Sequence, residues 1–179
     1  MADVSRVQLS SASFYGDDNT IIEAGDIAAT PDSQSGRAVM KFPDGTDESA
    51  MVSQAFPFPT QYTSGDSLKV KIDWFGDSAP GENNGVQWDV AVEAITPGDA
   101  HDLQGTADAF AAAQSGTGTV NASAGYLNST TITLTQAQAD AVEAGDSVRL
   151  CIRRDSNHAS DTYADSVWIT EAEVLEVTA

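Results

Sequence analysis

Hydrophobic and polar residues alternate with a period of two along much of the chain beyond residue 36. The clearest run is Leu68-Lys69-Val70-Lys71-Ile72-Asp73-Trp74. Leu68, Val70, Ile72 and Trp74 fall on one side, and Lys69, Lys71 and Asp73 on the other. Successive strand side chains point to opposite faces, so the run predicts a strand with one core face and one solvent face, as in an antiparallel sheet. The same rhythm predicts strands at Arg37 to Phe42, Glu48 to Phe56, Val86 to Ile95, Thr130 to Leu134, Ser147 to Arg153 and Val167 to Val177, with a short one at Thr117 to Val120. Trp74 and Trp88 take core-facing phases, whereas Trp168 is out of phase with Val167 and Ile169 and is expected to face outward, toward a neighbour or a sugar.

Punctuation between these runs is of the turn type. Pro43-Asp44-Gly45-Thr46, Ser64-Gly65-Asp66 and the polar stretch Gly76 to Gly85 mark reversals. Phe56-Pro57-Phe58-Pro59 is expected to leave the sheet, because proline removes ladder donors, and to be either buried or a contact surface. One helix is expected, from Thr135 to Ala144, with Thr135 and Gln138 as a capping box and Gly145 as the stop. A helical turn is expected over Asp108 to Ala113, with Phe110 in the core. The fold class that follows is all-β: a two-layer antiparallel β-sandwich of jelly-roll or Greek-key type, with about eight strands and one short helix. Residues 37–179 form this domain, and residues 1–36 are expected to be an N-terminal arm or irregular first strands.

Charge narrows the function classes. Twenty-seven acidic residues oppose 8 basic ones, for a net charge of -19. Phosphate neutralisation needs clustered Lys and Arg, so nucleic-acid binding is not expected, and an anionic membrane would repel the same surface. The acidity favours solubility at high ionic strength, and points to a saline habitat or to a positively charged partner. No apolar run approaches the roughly 20 residues of a membrane span. Met1-Ala2-Asp3-Val4 lacks the basic start and apolar centre of a signal peptide, so synthesis in the cytoplasm is expected.

Reactive chemistry is sparse. Cys151 is the single cysteine, which excludes an internal disulfide, and its apolar surroundings predict a small buried hydrophobe. His101 and His158 lie in polar loops without metal-ligand spacing and are expected to be solvated. Arg154, with Asp155 and Asp161, is expected to form an ion pair tying down the loop from Asp155 to Asp165. The rival for these residues is a calcium site built from Asp155, Asn157 and Asp161, and Asp17-Asp18-Asn19 carries a weaker claim of the same kind. No nucleophile–base pair is recognisable, so the expectation is a protein that is not an enzyme, with no catalytic residue, metal or cofactor.

The segment from Pro59 to Val177 resembles the jelly-roll virion proteins of tailed bacteriophages. The features that carry the resemblance occur in order: Pro59-Thr60-Gln61-Tyr62, Gly65, the strand Leu68 to Trp74, a glycine–asparagine loop, Val86-Gln87-Trp88-Asp89-Val90, then Ala124-Gly125-Tyr126-Leu127, the strand ending at Leu134, and Ala144 to Ile152 closing on Arg154-Asp155 and Asp161-Thr162. The resemblance implies a structural virion protein of a marine or saline host's phage, most simply a capsid decoration or cement protein on the outer shell. Its partner would be the major capsid protein or another virion protein, and it would be a homo-oligomer, a trimer being favoured. Residues 1–36 would be the anchor. The alternative is a fibre or tail receptor-binding module that recognises carbohydrate, which would need an exposed aromatic platform near Trp168 or Tyr163.

Overall fold

The computed structural model describes residues 3–10, 13–17, 27–34, 36–45, 49–63, 65, 67–81, 84–98 and 110–177. Asp18, Asn19, His101 and the first two residues of the expected helical turn, 108 and 109, lie outside these residues, and the remainder of that turn, 110–113, is not helical. Thirteen strands are described: β1 (Asp3–Ser10), β2 (Phe14–Asp17), β3 (Ile27–Ala28), β4 (Thr30–Gln34), β5 (Arg37–Phe42), β6 (Ser49–Ser53), β7 (Phe56–Pro57), β8 (Leu68–Gly76), β9 (Gly85–Ile95), β10 (Gln114–Thr119), β11 (Asn128–Leu134), β12 (Ser147–Arg154) and β13 (Val167–Val177).

Eight of them, β5, β6 and β8 to β13, form a jelly roll. In sheet I the order is β5-β13-β8-β11, and in sheet II it is β6-β12-β9-β10. The remaining strands extend these sheets: β4 pairs with β5 and β1 with β13 in sheet I, while β2 and β3 pair with β6 and β7 with β12 in sheet II. Pairing is antiparallel throughout, apart from the short β3–β6 ladder.

The alternation read from the chain is what the two sheets seal between them. Leu68, Val70, Ile72 and Trp74 of β8 are all buried, as are Val86, Trp88, Val90 and Val92 of β9 and Val148, Leu150 and Ile152 of β12. Trp88 meets Phe42 and Trp74 edge-on, with ring centroids 5.4 and 5.6 Å apart. The Trp74 indole N–H donates to Thr130 Oγ1 at 2.9 Å, which removes the cost of burying it. Gly118 makes room for that pair: a methyl group there would lie 2.6 Å from Trp74 Cζ2.

Three expectations are corrected in detail. The helix is a single 3-10 turn, Gln136–Ala139. Its capping box is present, but Asp140 and Ala141 take left-handed φ values of 56° and 52°, and the chain leaves the helical path well before Gly145. Phe56 and Pro57 stay in the sheet as the two-residue strand β7, opposite Val148 and Ser147. Proline is tolerated there because β7 is paired on one side only, and burial falls on Phe58, which stacks edge-on against Tyr62 at 4.9 Å. Phe110 does not enter the main core; it packs with Ala113 on a smaller cluster of Ala50, Val52, Ala91 and Cys151.

That smaller cluster lies on the outer face of sheet II, and so this sheet is buried on both sides. Gln87, Asp89 and Glu93, on the outward phase of β9, are each 3% exposed. Buried charge must be paired to be tolerated. Asp89 pairs with Arg153, its cross-strand partner in the β9–β12 register, and Glu93 pairs with Arg149 at 2.9 Å. The Arg149 guanidinium also lies 5.3 Å over the Phe110 ring.

Candidate functional site

The outer face of sheet I differs: it is open. One cross-strand row on it runs from Phe75 of β8 to Trp168 of β13, Lys41 of β5 and Thr30 of β4. Trp168 faces away from the sandwich core, as its phase predicts, yet it is only 3% exposed. Phe75 stacks on it with ring centroids 5.4 Å apart and planes inclined by 15°. The Lys41 ammonium sits 5.9 Å from the Trp168 ring centre, and the indole N–H donates to Asp32 Oδ2 at 3.1 Å. The amide of Ser33 first, and then the Trp168 indole, hold the Asp32 carboxyl below its ordinary 3.8. The aromatic pair is thus locked by its neighbours in position and in orientation.

Beside this pair lies a cleft of about 270 Å³ lined by Gln34, Arg37, Val39, Phe75, Gly125, Leu127 and Thr170. Its lining combines apolar surface from Val39, Phe75 and Leu127 with polar groups from Gln34, Arg37 and Thr170. Leu127 is 60% exposed and Tyr126 62%, the two large hydrophobic residues most open to water among those described. They sit in the β10–β11 connection, which reaches the sheet through a hydrogen bond from Gly125 N to Gly76 O at 3.0 Å.

Most basic side chains are already engaged. Lys71 is held by Asp73, Arg149 by Glu93, Arg153 by Asp89 and Arg154 by Asp161. Arg37 is exposed and has no carboxylate partner among the described residues. Among the described residues it is the one charged group lining the cleft.

The other residues singled out from the sequence take structural places. Arg154 is fully buried and donates to Asp161 through Nε and Nη2, at 2.9 and 2.8 Å, so the expected tie of the loop exists. Asp155 is not part of it and lies 3.8 Å from Arg153 instead. Asp161 Oδ2 also accepts from the Gln87 backbone amide at 3.1 Å, which engages an oxygen a calcium site would need; no group of three His, Cys, Asp or Glu side chains placed to hold a metal exists among the described residues. Tyr163 is buried rather than a platform: its hydroxyl accepts from Ser78 N at 2.9 Å and donates to Ser78 O at 3.0 Å. His158 is exposed, with Nδ1 accepting from Ser160 N at 3.1 Å. Cys151 is fully buried. No helix among the described residues is long and apolar enough to cross a membrane.

Sequence reasoning pointed to Trp168 but missed the cleft beside it. Gln34, Arg37 and Val39 come from a hairpin whose first strand, Thr-Pro-Asp-Ser-Gln, shows no alternation, and they meet Phe75 and Leu127 only through sheet pairing.

No family model matches the chain, and no curated protein matches it in sequence. Solved structures match in fold. A xylan-binding module, CBM15, aligns with a TM-score of 0.51 and 10% identity, covering 97% of this chain and 98% of its own. The CBM35 of Paenibacillus barcinonensis aligns with a TM-score of 0.49 and 13% identity, covering 97% of this chain and 98% of its own. The C-terminal CBM6 of LamC, a marine laminarinase from Zobellia galactanivorans, gives 0.48 and 11%, with 94% and 97% covered. What the first of these likenesses shows is the architecture: this chain is a jelly-roll β-sandwich of the kind found in a xylan-binding module.

Proposed function

We propose that the chain is a non-catalytic binding module that recognises carbohydrate through the cleft on the outer face of sheet I. The observation that carries this is the locked Phe75–Trp168 pair standing beside a solvent-open cleft whose lining is part apolar and part hydrogen-bonding. A pyranose ring has the matching chemistry: C–H faces that pack on an aromatic or aliphatic wall, and an equator of hydroxyls that need donors and acceptors. A volume of about 270 Å³ falls just under the smallest ordinary ligand pockets, about 300 Å³, so it admits one ring and leaves the rest of a chain outside. Rigid aromatic groups bind without a large ordering cost, and Asp32 and Lys41 supply that rigidity here. The xylan-binding module shares the fold and binds xylan, but fold by itself does not carry function, so the cleft is what the reading stands on.

The virion setting implied by the sequence resemblance is kept as the context of this reading, in its fibre or tail form; a capsid decoration role would leave the cleft without a task. The test is affinity electrophoresis and calorimetry of the full chain against a panel of soluble polysaccharides, with Phe75→Ala as control. Binding that Phe75→Ala abolishes supports the proposal; no binding to any polysaccharide, or binding indifferent to Phe75→Ala, overturns it.

A further inference from the structure

Resting on that reading, we infer that the ring taken by the cleft carries an anionic substituent, a carboxylate or a sulfate, and that Arg37 is the residue that selects it. The chain has a net charge of -19, yet among the described residues the only charged side chain lining the cleft is cationic. Arg37 has no carboxylate partner among the described residues, whereas Lys71, Arg149, Arg153 and Arg154 each have one. An arginine kept unpaired in so acidic a protein leaves its fork of donors free for a planar or tetrahedral anion. Lys41, over the Trp168 ring on the same strand and the same face, is offset by the Asp32 carboxylate, which leaves Arg37 as the cation facing the cleft.

The acid closest in the sheet does not cancel this. Asp32 accepts hydrogen bonds from Ser33 N, Gln34 Nε2 and Trp168 Nε1, and it is not part of the cleft lining. The remaining negative charge acts at long range and is screened over about 8 Å at physiological ionic strength, while a hydrogen-bonded contact within the cleft is not. Neutral sugars would use Phe75, Gln34 and Thr170 but leave the guanidinium without a partner.

The test compares three polymers at physiological salt: a polyuronate, a sulfated polysaccharide and a neutral xylan, titrated into wild-type protein, Arg37→Gln, Arg37→Lys and Phe75→Ala. Arg37 is exposed, so its replacement leaves the fold intact, which thermal melting verifies. At least one anionic polymer is expected to bind about tenfold or more tighter than the neutral one, the scale of a single charged hydrogen-bond contact. Arg37→Gln is expected to erase that margin, and Arg37→Lys to restore part of it. Preference for the polyuronate over the sulfated chain identifies the carboxylate as the recognised group, and the reverse identifies the sulfate. Equal affinity for all three polymers, or a preference unchanged in Arg37→Gln, overturns the anionic assignment. If Phe75→Ala still abolishes binding in that case, the carbohydrate reading stands without it.

Discussion

Arg154 and Asp161 meet fork to fork, and the loop between them is folded over the joint. The same guanidinium donates to the backbone oxygens of Asp165 at 2.8 Å and Tyr163 at 2.5 Å, and reaches Asp44 Oδ1 at 3.3 Å. One side chain at the end of β12 thereby satisfies the β12–β13 connection and the turn after β5 together.

Removing either member should be costly, because the other is left buried and charged. Arg154→Ala is expected to lower the unfolding free energy by about 3–5 kcal/mol, read from urea denaturation at constant slope. A loss below about 1 kcal/mol would show that the loop holds without its fork.

Gly85 sits where this loop touches β9. Its carbonyl accepts from Thr162 N at 2.9 Å and Tyr163 N at 3.0 Å, and its amide donates to Thr162 Oγ1 at 3.0 Å. A methyl group on Gly85 would run into the Ser160 carbonyl oxygen, a backbone atom that cannot move aside cheaply. Gly85→Ala is expected to destabilise by about 1–3 kcal/mol, while Gly81→Ala, with open space around it, stays near wild type in the same melt.

Asp32 gives the aromatic pair an acid limit. Its folded carboxyl is held below the usual 3.8, so it favours the folded state at neutral pH and above, and that contribution is lost as the pH falls through the depressed folded value. The Trp168 indole N–H resonance should therefore titrate with a midpoint below the ordinary aspartate value. In Asp32→Asn the titration disappears. A midpoint at or above 3.8 would refute the assigned hydrogen bond.

Cys151 reports on the second buried layer. It is 0% exposed between sheet II and the segment carrying Phe110. Its reaction with a thiol reagent should follow opening of that layer and be slower than in unfolded chain by orders of magnitude. Phe110→Ala is expected to accelerate it; an unchanged rate would mean that Phe110 does not guard the thiol.

Much of the architecture is written locally. The alternation in β8, β9 and β12 carries the eight jelly-roll strands, because a sandwich strand with one core face repeats every two residues. The out-of-phase position of Trp168 likewise told its direction. What alternation does not express is depth on the second face. Asp89 and Glu93 read as solvent residues by their phase, yet both are buried, because their arginine partners lie across a ladder some sixty residues away in the chain. Trp168 is hidden for a related reason: its face carries Phe75, Lys41 and Asp32 from three other strands, and β4 has no pattern to announce it. The cleft inherits that non-locality.

The pairing of β1 with β13 has a mechanical consequence. Asp3 lies opposite Val177 and Ser10 opposite Glu171, so the start of β1 and the end of β13 are side by side. Tension drawn apart at Asp3 and Val177 would part this ladder one rung at a time, like a zipper, instead of shearing all its rungs at once. The β1 edge should peel first under stretching, while β5-β13-β8-β11 and the aromatic row across it stay assembled.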